Sequence, residues 1–101
     1  MTAADTYFAV WATDRPGRLA ERARVREAHR ARLKEGAPGL RVVLGGPTAG
    51  ADGAMNGSLL VIAAPDAEAV HAFLAGDPYV LADVYENVQV RPWLWGTGRP
   101  G

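Results

Sequence analysis

Hydrophobic positions fall along the chain in short blocks whose spacing changes from two residues to nearly four and back again. Thr6 to Ala12 (TYFAVWA) is rich in aromatic and β-branched types and holds no Gly or Pro. At the two-residue period of a strand, Tyr7, Ala9 and Trp11 share one face and Phe8, Val10 and Ala12 the other. A strand that is apolar on both faces belongs in the middle of a sheet, covered on each side. Asp14-Arg15-Pro16-Gly17 breaks it, and Leu19 to Glu35, full of Ala, Arg, Glu and Leu, predicts a helix ended by Gly36. Gly36-Ala37-Pro38-Gly39 is a loop.

Leu40 to Leu44 (LRVVL) and Ser58 to Ala63 (SLLVIA) predict the second and third strands, and Gly45 to Gly57 between them (GGPTAGADGAMNG) carries turn chemistry. A second helix starts at Pro65-Asp66-Ala67-Glu68, with Asp66 suited to the N-cap and Glu68 to the positive first turn. Its apolar residues Ala69, Val70, Phe73 and Leu74 form a narrow stripe that stops at Gly76. Gly76-Asp77-Pro78 reads as a turn. In Tyr85 to Trp93 (YENVQVRPW), Val88 and Val90 alternate with polar residues, and Pro92 is expected to end this last strand.

The order is βαββαβ, an α+β chain with the ferredoxin-like split-βαβ arrangement, in which both helices cover one face of an antiparallel sheet. Nothing in the chain is left to cover the other face, where Tyr7 and Trp11 lie. A second copy of the same sheet is the simplest cover, so a homodimer packed sheet to sheet is expected. At 101 residues the chain makes a single domain, with its core at about 5–95 and an expected disordered tail at 96–101 (GTGRPG).

Charge narrows the class of partner. Lys plus Arg is 11 and Asp plus Glu is 11, a net charge of zero, which argues against a general binder of nucleic acid or of anionic membranes. With no Cys, disulfides and thiol catalysis are excluded. No apolar run approaches membrane-spanning length and no basic segment precedes one at the N-terminus, so a cytoplasmic protein is expected. Gly-Gly-Pro-Thr-Ala-Gly lacks the Gly-Lys-Ser/Thr ending of a phosphate loop, and two separated histidines without a carboxylate cluster give too few ligands for a metal.

The candidate chemistry gathers around two residues. His29 shares a face of the first helix with Arg22, Val25, Arg26 and Leu33, and imidazole gives or takes a proton near neutral pH. Asp77 lies where the second helix ends, and the split-βαβ layer sets the two helices side by side. Spacing alone leaves two readings open. Either His29 is a half-buried helix residue and Asp77 a turn residue before Pro78, or the carboxylate holds one imidazole nitrogen and strengthens the other as a base. Arg26 is either a solvated helix arginine or a partner for an anionic substrate oxygen. Ser58 either donates a hydrogen bond into a cleft or simply opens its strand. Asp14 caps the first helix or approaches the cleft, and Tyr79 packs or touches substrate. His71 reads as a surface residue, and Trp93 and Trp95 as core or interface.

Taken in order, "YFAVWATDRPG", "REAHRARLKEG", "GGPTAGADGAMNGSLLVIAAPDAEAVHAFLAGDPYV" and "YENVQVRPW" resemble the YCII (YciI-like) family of small bacterial proteins over nearly the whole chain. The family pattern has an Asp after the first strand (Asp14), a His in the first helix (His29) and a Gly-Pro after the second strand (Gly46-Pro47). It continues with a Gly-Ser opening the third strand (Gly57-Ser58), an Asp-Pro-Tyr/Phe after the second helix (Asp77-Pro78-Tyr79) and a Pro-Trp closing the last strand (Pro92-Trp93). The resemblance implies a ferredoxin-like dimeric α/β barrel similar to muconolactone isomerase, with a His–Asp pair in a cleft. It also implies cofactor-free elimination or isomerisation of a small oxygenated ring, an aromatic or a lactone. His29 and Asp77 are then the catalytic pair, and Arg26, Ser58, Tyr79 and Asp14 the candidate substrate contacts, with no cofactor and no metal. The competing reading is a non-catalytic dimer that binds a small molecule in the same cleft. Two departures from the pattern, the additional Pro-Gly in Gly36–Gly39 and the apolar Leu94-Trp95-Gly96, bear on the cleft mouth and leave the substrate open.

Overall fold

A computed structural model describes residues 6–99. The first strand, β1 (Thr6–Asp14), leads into α1 (Leu19–Glu35), then β2 (Arg41–Ala49) and β3 (Met55–Ala64). The chain continues through α2 (Ala67–Ala75) and a one-turn α3 (Pro78–Leu81) into β4 (Tyr85–Trp93). The four strands form one antiparallel sheet in the order β2-β3-β1-β4, so the doubly apolar β1 is central, as its sequence requires.

The alternation along β1 and β3 sorts the sheet into two faces. Phe8 and Val10 of β1, with Leu60, Ile62 and Ala64 of β3, meet Val70, Phe73 and Leu74 of α2 in the main core. Each Val, Leu, Ile or Phe among them contributes about 1.5–3 kcal/mol on burial. A second cluster of Ala12, Tyr79, Val84 and Tyr85 fills the end of the sheet under α3. α1 is largely charged and joins these clusters through Leu33 and Val25. Glu21 in its first turn and Arg32 and Lys34 in its last complement the helix dipole. Gly36 ends it at φ 68°, a left-handed conformation that suits glycine, and a Cβ there would also strike the carbonyl oxygen of Leu40. Asp66 caps α2 as expected, accepting the Ala69 N–H at 2.8 Å.

Three local expectations are corrected. β2 and β3 run well into the glycine-rich stretch, and the hairpin turns only at 50–54, where Gly50 N–H donates to Ala54 O at 2.9 Å. The glycine signal there reports close approach of strands as much as turning: a Cβ on Gly57 would collide with the carbonyl oxygen of Ala12 on the neighbouring β1. Asp77-Pro78 starts the short α3 in place of a plain turn, with Pro78 at the first helical position, where its missing N–H costs nothing. Pro92 does not end β4 but sits inside it opposite Phe8, tolerated because β4 is an edge strand.

On the face away from the helices, Tyr7, Val61 and Ala63 pack with Val43, Trp93 and Trp95. The Trp95 ring meets Tyr7 edge-on at 5.4 Å and lies 5.1 Å from the Trp93 ring, and its indole N–H donates to Thr97 O at 2.8 Å. Arg99 lies over the Tyr7 ring and donates to its hydroxyl at 3.2 Å. The C-terminal indoles therefore fold back on the chain's own sheet, while Leu94 stays 93% exposed. Of the segment expected to be a disordered tail, residues 100 and 101 lie outside the described residues. Trp11 remains 50% exposed on this face, beside Leu59 and Leu44. No helix among the described residues is long and apolar enough to cross a membrane.

Candidate active site

The site lies between α1, α3 and the near end of the sheet. Leu33 and Val25 fix the roll of α1, and that roll turns Arg22 and His29, seven residues apart, toward the sheet. Arg32 ties the far end of α1 to the end of α2, donating to Phe73 O at 2.9 Å with its guanidinium over the Phe73 ring. The α2–α3 junction is thereby held against His29.

Asp77 is fully buried and caps α3, its Oδ1 accepting the Tyr79 N–H at 2.8 Å. The same oxygen lies 2.7 Å from His29 Nδ1. A backbone amide and an imidazole thus converge on one carboxylate oxygen, while Oδ2 is buried without a partner. Facing a carboxylate, Nδ1 is placed to carry the proton, which leaves the lone pair on Nε2. Nε2 has no protein partner among the described residues and is not sealed off by packing. The imidazole stacks on Tyr79, with ring centroids 3.7 Å apart and planes 19° from parallel, so its orientation is fixed from two sides.

A second network abuts the first. Arg22, although a cation, is buried. Its Nε donates to Asp14 Oδ2 at 2.8 Å, and its Nη2 donates to Gly57 O at 2.7 Å and Ser58 Oγ at 2.9 Å, with a longer bond of 3.2 Å to Asp14 Oδ1. The guanidinium also lies 4.4 Å from the centroid of the Tyr79 ring. Burial alone would lower the Arg22 pKa, but the bond to Asp14 and its charge outweigh that and hold it above its ordinary value. Tyr85 donates its hydroxyl proton to Ser58 Oγ at 2.8 Å and meets Tyr79 edge-on. Burial pushes both phenols up, Tyr85 strongly, with the Ser58 bond and Arg22 acting against it at Tyr85 and Arg22 acting against it at Tyr79. Above about pH 10, where phenols of the unfolded chain ionise, the folded state then holds more protons than the unfolded one. Stability is expected to be insensitive to these groups below pH 10 and to fall above it. Urea midpoints measured across that range should drop in the wild type and drop less in Tyr85→Phe; parallel curves would contradict the assignment.

These groups wall a cleft of about 700 Å³ formed by α1, the Gly45-Gly46-Pro47 stretch of β2, Ser58 and Tyr79, with Leu33 and Leu60 as its apolar floor. His29, Arg26, Ser58 and Tyr79 of the sequence-derived set all line it. Asp77 stands behind His29, out of the cleft. Asp14 does not cap α1, whose N-cap is Arg18 without a side-chain bond. Its carboxylate takes the bidentate guanidinium of Arg22, a charge-assisted pair stronger than a neutral cap, and it lines a separate recess beside the β2–β3 turn. His71 is exposed. Trp93 and Trp95 lie on the other face of the sheet. Two residues of this network, Arg22 and Tyr85, are not among the candidates that the sequence singles out. Arg22 carried one signal, its seven-residue spacing from His29; Tyr85, the first residue of a strand, carried none.

The model of the YCII-related domain family matches residues 6–94. A protein of Haemophilus influenzae named "Uncharacterized protein" is 34% identical over 93 residues, 86% of this chain and 95% of its own length. Protein YciI of Escherichia coli is 34% identical over 92 residues, 85% of this chain and 94% of its own. Among solved structures, 5-chloro-2-hydroxyhydroquinone dehydrochlorinase (TftG) from Burkholderia phenoliruptrix, in complex with 2,5-dihydroxybenzoquinone, matches with a TM-score of 0.80 at 34% identity, over 89% of this chain and 95% of its own. With the family model matched from β1 through the end of β4, this chain belongs to the YCII-related domain family.

Proposed function

We propose that the chain is a small-molecule enzyme in which His29 serves as general base for elimination or isomerisation on a small oxygenated ring. The observation that carries the reading is the 2.7 Å contact of His29 Nδ1 with Asp77 at the back of an open cleft. Asp77 holds the Nδ1 proton and stabilises the imidazolium that forms when Nε2 takes a second one. The proton comes from a carbon or hydroxyl of the bound ring. The electron pair left behind moves onto a ring oxygen, or expels a leaving group from the neighbouring carbon. His29 then returns its proton to another carbon, completing an isomerisation, or to solvent, completing an elimination. Arg26 makes no ion pair among the described residues and reaches the cleft one turn before His29, where it faces the anionic oxygen of such a substrate. The volume suits a ligand of one or two rings. The dehydrochlorinase relative, bound to a dihydroxybenzoquinone, supports a planar oxygenated ring as the class of substrate. Chloride release from chlorinated hydroxyhydroquinones, followed with purified protein and with His29→Ala, tests the reading. Turnover that depends on His29 is expected; tight binding with no turnover would favour the non-catalytic binding dimer instead.

We propose further that the protein works as a homodimer joined through the uncovered sheet face, with Trp11, Leu59 and Leu44 at the contact. Light scattering at micromolar concentration should give twice the chain mass. Trp11→Glu, a change at a half-exposed position, should leave each chain folded and produce monomers. A wild-type monomer, or an unaffected dimer in Trp11→Glu, would contradict this contact.

A further inference from the structure

Ser58 opens the wall of the cleft, yet its side chain is buried and bonded on two sides. Arg22 Nη2 approaches Oγ at 2.9 Å and Tyr85 Oη at 2.8 Å. A guanidinium has only donors. A phenol has one proton, and Ser58 Oγ is the sole polar partner of Tyr85 Oη among the described residues. Were Ser58 instead the donor in that pair, the buried phenolic proton would have no acceptor. A serine hydroxyl offers two lone pairs and one proton. With Arg22 and Tyr85 occupying both lone pairs, the Ser58 proton has no protein acceptor among the described residues, and Ser58 lines the cleft shared with His29.

We propose that Ser58 is a one-way hydrogen-bond donor, locked in that sense by Arg22 and Tyr85, and that the site takes its substrate with a proton-free oxygen against it: a carbonyl, a phenolate or an enolate. Ser58 is a substrate-positioning and specificity group in this role, and Tyr85 acts through it. The inference rests on the general-base reading above and adds the place where the displaced charge goes. Where that oxygen is a carbonyl and His29 Nε2 takes the proton from the carbon next to it, the C–H electron pair forms a C–C double bond and the carbonyl π pair moves onto this oxygen, giving an enolate. The Ser58 O–H bond stays intact and its hydrogen bond strengthens as the oxygen becomes negative. A substrate group that itself needs an acceptor at this point, such as an amine or a hydroxyl that must donate, is rejected because Ser58 has no lone pair to offer.

Neutron diffraction from crystals of the wild-type protein exchanged into heavy water reads the polarity without any variant or ligand. The expected map places one deuterium on Tyr85 Oη directed at Ser58 and the Ser58 deuterium directed into the cleft. A Ser58 deuterium lying on the line to Tyr85 overturns the proposal and leaves the role of His29 untouched, whereas absence of turnover would sink the general-base reading and leave the hydrogen positions as found. A second measurement compares binding of 4-nitrophenolate and 4-nitroaniline, which share a shape and differ in accepting or donating at one end. The wild type should prefer the phenolate. In Tyr85→Phe, which frees a Ser58 lone pair, that preference should shrink by about tenfold; an unchanged ratio counts against the lock.

Discussion

Replacing His29 with Ala should lower kcat by about 10²–10⁴-fold, the span that a positioned general base contributes. The ring is buried and stacked on Tyr79, so its removal also costs packing and leaves Asp77 short of a partner. His29→Asn separates the two effects, because its amide can still donate to Asp77 Oδ1 where Nδ1 now stands but cannot accept a proton from substrate. It should fold with a melting temperature nearer the wild type and remain as inactive as His29→Ala. Asp77→Asn should retain some activity, losing between about tenfold and 10⁴-fold; the upper end applies if the new amide donates to Nδ1 and forces the proton onto Nε2. Turnover assays on the three variants, with circular dichroism to establish folding, check this. Wild-type rates in either His29 variant would exclude the ring from the chemistry.

Arg22→Ala should be the most destabilising single change in the site, by about 3–5 kcal/mol, because it strands the buried Asp14 carboxylate. Domains are stable by about 5–15 kcal/mol, so the variant sits at the edge of folding. The same change removes a donor from Ser58 and from Gly57 O, uncoupling α1 from the start of β3. Replacing both Asp14 and Arg22 by apolar residues of similar size should cost less than the sum of the single changes, since no buried charge is left unpaired. Urea denaturation of the two single variants and the double variant measures the coupling. A loss below about 1 kcal/mol in Arg22→Ala would place the pair among surface ion pairs, contrary to its burial.

Much of the fold was legible because its signals are local. The doubly apolar TYFAVWA marked the central strand, Gly36 and the Ala- and Arg-rich run marked both ends of α1, and Asp66 marked the cap of α2. The β2–β3 hairpin was misjudged because glycine has two uses, turning a chain and letting strands approach, and Gly57 serves the second. The one-turn α3 escaped because four residues are too few to show a helical period, although Asp-Pro is itself a capping signature. The His29–Asp77 juxtaposition was within reach of topology, which sets α1 beside the end of α2. The buried role of Arg22 was not: arginine recurs through α1, and only the third dimension distinguishes the one that meets Asp14, Gly57 and Ser58. Composition is equally silent there, since a net charge of zero says nothing of which cation is buried.

In the proposed mechanism Asp77 fixes the proton on Nδ1 of His29 and presents Nε2 to the cleft as a base. The ring nitrogens of His29 report this directly in a ¹⁵N-labelled sample, through the long-range couplings that distinguish the two tautomers of a neutral imidazole, with the exposed His71 as the internal reference. The Nδ1–H tautomer is expected in the wild-type protein, with an unprotonated Nε2. A neutral ring carrying its proton on Nε2 would leave Nδ1 facing the carboxylate without a hydrogen bond, and would contradict the proposed base.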